Sequence, residues 1–168
     1  MTPNKTWRSR AVVHATPQQV IETLTDTDAC ARWSPIAFRL DDFDGTHLRP
    51  DTTTRVSGRF VGLQIRFELA ILAADPARLL LRATGPIEIL VDYDMRPTAD
   101  GCAVNAAVSI RALDRRFGRL LARATELLLD NGTLDHALRR IAHEAERAPR
   151  APRAQRRRAS QLPSAQRA

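Results

Sequence analysis

The chain has 168 residues, 26 of them basic and 19 acidic, for a formal net charge of +7. That length suits one domain plus a tail and supports a core without disulfide or metal staples. Six arginines lie in residues 148–168, where there is no acid. The remainder therefore balances 20 basic against 19 acidic residues, which excludes a whole-protein electrostatic case for nucleic acid.

Cys30 and Cys102 form no CxxC and no metal-type spacing, so free thiols in a reducing compartment are expected rather than a disulfide. No apolar run approaches the ~18 residues of a spanning helix. Met1 to Arg10 has no apolar signal core, so the expected location is the cytoplasm.

In chain order, residues 5–14 read as a first strand through Trp7, Val12 and Val13, with its facing left open because Val12 and Val13 point to opposite sides. Thr16-Pro17-Gln18-Gln19 is a helix start: Thr16 caps, Pro17 takes the first turn and Gln19 completes a capping box. Val20, Ile21 and Leu24 give that helix an apolar face. A second short helix runs from about Asp28 to Trp33, and Ser34-Pro35 ends it.

From Ile36 the period changes to two. Phe38 and Leu40 mark the second strand. Thr54, Val56, Gly58 and Phe60 share one face of the third, roughly Thr52–Val61. Leu63, Ile65, Phe67, Leu69 and Ile71 share one face of the fourth, and Leu79 and Leu81 one face of the fifth. Ile87, Ile89, Val91, Tyr93 and Met95 alternate with Glu88, Asp92, Asp94 and Arg96 in the sixth. Asp100-Gly101 turns into a seventh with Cys102, Val104, Ala106, Val108 and Ile110 on one side. Such alternation means an antiparallel sheet, wet on one face and covered on the other.

The cover is a helix predicted from Asp114, as N-cap, to about Arg147. Phe117, Leu120, Ala124, Leu127, Asn131, Leu134, Leu138, Ile141 and Ala145 fall on one stripe. Asn131, followed by Gly132, is its one polar member. It is either a hydrogen-bonding tooth toward a ligand or the place where the helix kinks or splits. Residues 148–168, rich in Ala, Arg and Pro, read as a disordered tail.

This order of elements, with Thr16-Pro17 opening the first helix and Trp33-Ser34-Pro35 closing the second, resembles the START-like superfamily. It is most similar to the bacterial polyketide cyclase/dehydrase and lipid-transport group, also called SRPBCC. The resemblance spans about Lys5 to Glu146. It implies an α+β helix-grip fold: a curved seven-stranded antiparallel sheet wrapped around a C-terminal helix, with a cavity for an apolar ligand.

The expected ligand-facing side chains are Trp33, Thr54, Phe60, Phe67, Ile89, Tyr93, Phe117, Leu127 and Asn131. Phe60, Phe67 and Ile89 serve the core as well. No catalytic residue, metal or cofactor is expected. The four histidines are scattered, there is no nucleophile elbow or phosphate loop, and Asp92 and Asp94 alternate outward. The leading expectation is a module holding a small hydrophobic ligand, lipid-like, aromatic or polyketide-like. The alternative is an aromatase/cyclase-type enzyme using the same cavity. A third is an interaction protein docking on ribosome or membrane through the basic tail. No specific nucleic acid is expected, a weak contact of the tail with an anionic surface is allowed for, and a monomer or homodimer is expected.

Overall fold

A computed structural model describes residues 5–60 and 62–148. Seven strands form one sheet: β1 (Thr6–Val13), β2 (Phe38–Asp41), β3 (Thr53–Phe60), β4 (Leu63–Asp75), β5 (Arg78–Thr84), β6 (Ile87–Thr98) and β7 (Gly101–Ala112). The spatial order is β1-β7-β6-β5-β4-β3-β2, and every neighbouring pair is antiparallel. The six strands from β2 to β7 thus form a meander, and β1 closes the far edge. The expected disorder of residues 148–168 lies, beyond Ala148, outside the described residues.

The alternation settles which face is inside. In β6, Ile87, Tyr93 and Met95 are buried while Glu88, Asp92 and Asp94 carry ion pairs or solvent contacts outside. Asp92 pairs with Arg78 at 2.8 Å and Asp94 with Arg96 at 3.1 Å, both on the outer face. Register then carries the inner face across the sheet: Tyr93 lies opposite Leu79 and Ala106, and Leu81 opposite Ile71 and Val91. The facing of β1 is resolved too, with Val13 buried and Val12 exposed.

Between β1 and β2 lie α1 (Pro17–Thr25) and α2 (Thr27–Trp33). The capping box forms as the sequence predicts: Gln19 N donates to Thr16 Oγ1, and Thr16 N to Gln19 Oε1. Asp26 ends α1 and caps α2, its carboxylate accepting from the backbone of Asp28 and Ala29. Two helices turn within one residue, so Val20, Ile21 and Leu24 of α1 drop onto the inner face.

The C-terminal cover differs from the expected single helix. It is two helices, α3 (Phe117–Asp130) and α4 (Thr133–Arg147). Gly132 sits between them at φ 82°, a left-handed conformation that ends an α-helix and favours glycine. Asp114 is not the cap: its carboxylate accepts from Arg116 N, and the helix begins after Arg116 without a side-chain cap.

In α4 the predicted stripe holds, with Leu134, Leu138, Ile141 and Ala145 all buried. In α3 it is rotated. Gly118, Leu121 and Ala122 are buried, while Leu120 and Leu127 are 66% and 52% exposed. α3 bears leucines on two faces, so periodicity alone cannot choose between them. Gly118 chooses, because its lack of a side chain permits the closest approach to the sheet: a Cβ there would lie 2.4 Å from the Pro86 carbonyl oxygen.

The elbow between the two helices is fastened to the edge strand. Lys5 Nζ and Trp7 Nε1 both donate to Asp130 Oδ1, at 2.7 and 2.8 Å, and the Ser9 hydroxyl donates to the Asp135 carboxylate. The Lys5 and Trp7 hydrogen bonds hold the Asp130 carboxyl below the usual carboxylate range.

Candidate functional site

The inner face of the sheet is not covered uniformly. Toward α1 and α4 it is sealed, with Leu24, Ile71, Leu79, Cys102, Val104, Leu138 and Ile141 almost completely buried. Toward β3–β5 and the start of α3 it is not. Val56, Phe60, Phe67, Leu81, Ala83, Ile89, Val91 and Phe117 pack against the core yet remain only half-buried. Register places them side by side, since Val56 lies opposite Phe67, Leu81 opposite Val91 and Ala83 opposite Ile89.

The cause is geometric. α3 packs on β6 and β7, α4 mainly on β1, and α1 covers β4 and β5 around Ile71 and Leu79, so accessible apolar surface remains on the rest of the inward side of β3–β5. Leaving several large apolar side chains half-wet forgoes roughly 25 cal/mol per Å² of burial, which a site for an apolar ligand would recover.

At the sealed margin of this surface stands Tyr93. It is 4% exposed, and among the described residues its hydroxyl has no hydrogen-bond partner. No side-chain oxygen among those residues is both unpartnered and fully buried, so the Tyr93 Oη keeps some accessible surface. Burial pushes the phenol's pKa up, and the neighbouring Cys30 adds to the effect. Cys30 is itself pushed up to about 12, first by burial and then by Asp26. Its thiol donates to the Leu24 carbonyl at 3.1 Å. Both groups therefore stay neutral at neutral pH.

Of the other expected ligand-facing residues, Phe60, Phe67, Ile89 and Phe117 share the half-buried wall. Trp33 packs on the same core, its indole N–H donating to the Thr23 carbonyl at 3.1 Å. Thr54 is inward and buried, but its hydroxyl is used by the fold, donating to the Asp41 carbonyl at 2.9 Å. Leu127 and Asn131 are corrections. Both are exposed on the outward side of α3, and Asn131 caps its C-terminal end, its backbone N–H donating to the Leu127 and Leu128 carbonyls. The helix break at Gly132 removes the phase relation that put Asn131 on the inward stripe.

Sequence reasoning passed over Leu129, Ala83 and Cys30. Leu129 belongs to a second stripe, Leu121, Ala122, Thr125 and Leu129, as regular as the first. Cys30 had no signal, since its position depends on how α2 packs against α1 and α4.

A separate hollow of about 510 Å³ lies among α1, α2 and the end of α4. It is lined by charged groups, including the Arg32–Glu144 pair at 2.9 Å, and does not suit an apolar guest. Among the described residues no cluster of His, Cys, Asp and Glu could hold a metal ion, and no helix is long and apolar enough to cross a membrane.

A curved seven-stranded antiparallel sheet with its last helices packed on it defines the helix-grip fold, a fold for hydrophobic ligands. The chain belongs to the polyketide cyclase/dehydrase and lipid transport family, whose model matches residues 6–146. Protein CV1439 from Chromobacterium violaceum is similar in structure, with TM-score 0.64, 17% identity and coverage of 86% of this chain and 99% of that one. TTHA0849 from Thermus thermophilus has TM-score 0.61, 16% identity and coverage of 84% and 97%. Ara h 8.0201 has TM-score 0.57, 11% identity and coverage of 84% and 97%. At these identities the likeness is one of fold. Comparison with curated protein sequences gives no match.

Proposed function

We propose that this protein binds a small hydrophobic molecule, lipid-like, aromatic or polyketide-like, between the inner face of β3–β6 and α3. The observation that carries the reading is the pairing of two features in one place. One is a contiguous apolar wall left half-covered, Val56, Phe60, Phe67, Leu81, Ile89, Val91 and Phe117. The other is the hydroxyl of Tyr93, a residue only 4% exposed, without a protein partner among the described residues. The wall supplies affinity through burial of apolar area. The Tyr93 hydroxyl supplies orientation, donating to or accepting from one polar atom of the guest.

The titratable side chains at this margin are a phenol and a thiol, both held protonated. Neither is a base at neutral pH, so holding a molecule fits the site better than acid–base turnover of a polyketide chain. Native mass spectrometry of the gently extracted protein tests the reading. The expected spectrum shows a hydrophobic adduct that a Phe67→Trp or Ile89→Trp substitution displaces. Protein that carries no adduct and takes up none from an apolar library refutes it.

A further inference from the structure

Helix α3 is apolar on two sides, and only one of them meets the sheet. Leu120 is 66% exposed and Leu127 52%, with Leu113 just ahead of the helix also exposed. At about 100° per residue, Leu120 and Leu127 project within about 20° of each other. From this ridge Ala124, Phe117 and Leu128 continue the apolar surface around the helix toward the half-buried wall. The opposite flank is basic: Arg116, Arg119 and Arg123 are all exposed. Arg123 pairs with Glu126 at 3.4 Å and also feels Asp130, which Lys5 holds, while among the described residues Arg116 and Arg119 form no ion pair.

Exposed leucines along a crest with a row of cations beside it are the pattern of a helix that lies in a membrane interface. A second copy of this chain is a poorer occupant, because a two-fold contact with the α3 helices antiparallel would set each arginine row against its own kind. We propose that the outer face of α3 docks on an anionic lipid bilayer, with Leu120 and Leu127 at the acyl boundary and Arg116, Arg119 and Arg123 on the headgroups. The docking face stands on α3 alone. Its use, passing an apolar guest between bilayer and interior, rests on the binding reading above.

The test uses the full chain and vesicles of phosphatidylcholine with or without phosphatidylglycerol, read by flotation. Wild type should partition onto the anionic vesicles and little onto phosphatidylcholine alone. Leu120→Gln with Leu127→Gln should weaken that partition by at least about tenfold, and Arg116→Gln with Arg119→Gln and Arg123→Gln should do the same. The basic tail is common to all these proteins, so the differences report α3. Uptake of an apolar fluorophore without vesicles should be unchanged in both variants. Equal partition of wild type and the leucine variant overturns the proposal. So does a concentration-dependent dimer that the leucine variant dissolves. Vesicle binding without uptake of any apolar molecule supports the docking face and overturns only the cavity reading.

Discussion

Replacing Tyr93 by Phe removes one oxygen from the molecule and separates its two possible roles by sign. If the hydroxyl served the fold, its loss would destabilise the protein by about 1 kcal/mol or more, the net worth of a typical internal hydrogen bond. The structure gives it no protein partner among the described residues and an almost wholly buried ring. No protein hydrogen bond among the described residues goes with the hydroxyl, so Tyr93→Phe should leave stability unchanged or slightly raised. Ligand binding should move the other way. A guest with a carbonyl or hydroxyl loses a net hydrogen bond of about 0.5–1.5 kcal/mol, or about two- to thirteen-fold in affinity. A hydrocarbon of the same shape should lose nothing. Urea unfolding and titration calorimetry, with a long-chain ketone and its matched alkane, read both quantities on one preparation. A variant destabilised by more than about 1 kcal/mol, or equally weakened for ketone and alkane, would refute the reasoning.

Three other expectations follow from the geometry. Gly118→Val sets a branched side chain against the Pro86 carbonyl and should cost about 1–3 kcal/mol in urea unfolding, whereas Leu120→Ala, on the exposed side, should stay within about 0.5 kcal/mol. Cys30 and Cys102 are buried and free, and the Cys30 thiol is pushed up to about 12, so Ellman's reagent at neutral to mildly alkaline pH should titrate neither in native protein and both in guanidinium. The Asp130 carboxyl is held down by Lys5 and Trp7; its folded pKa lies below its unfolded one, so its contribution is complete above the usual carboxylate range and is lost as pH falls through the folded value. Asp130→Asn should flatten that acid limb of the stability curve, and the effect should shrink in high salt because the group is exposed.

How much of this was legible in the sequence differs by element. The strands were readable because a half-wetted sheet forces a period of two, and charged residues such as Asp92 and Asp94 cannot take the inner side. The capping box at Thr16 was equally plain. The C-terminal cover was less so. Asn131-Gly132 announced a break or a bend without saying which, and once the helix is cut its two halves need not share a phase. Leu120 and Leu121 are adjacent and equally apolar, so only contact with the sheet, through Gly118 and Pro86, decides which turns inward. The wall residues Phe60, Phe67 and Ile89 could be named from alternation, but their half-burial could not. It depends on where α3 lands across the sheet, a property of the whole fold. The pairing of Tyr93 with Cys30 was invisible for the same reason.

The binding function requires that the half-covered inner wall take up an apolar guest. Methyl-labelled protein titrated with a long-chain ketone and followed by NMR asks this directly. The methyl signals of Val56, Leu81, Ile89 and Val91 should shift together and saturably, with those of Leu138 and Ile141 unmoved. Shifts confined to Leu120 and Leu127, or no saturable shift on the inner face at all, would contradict it.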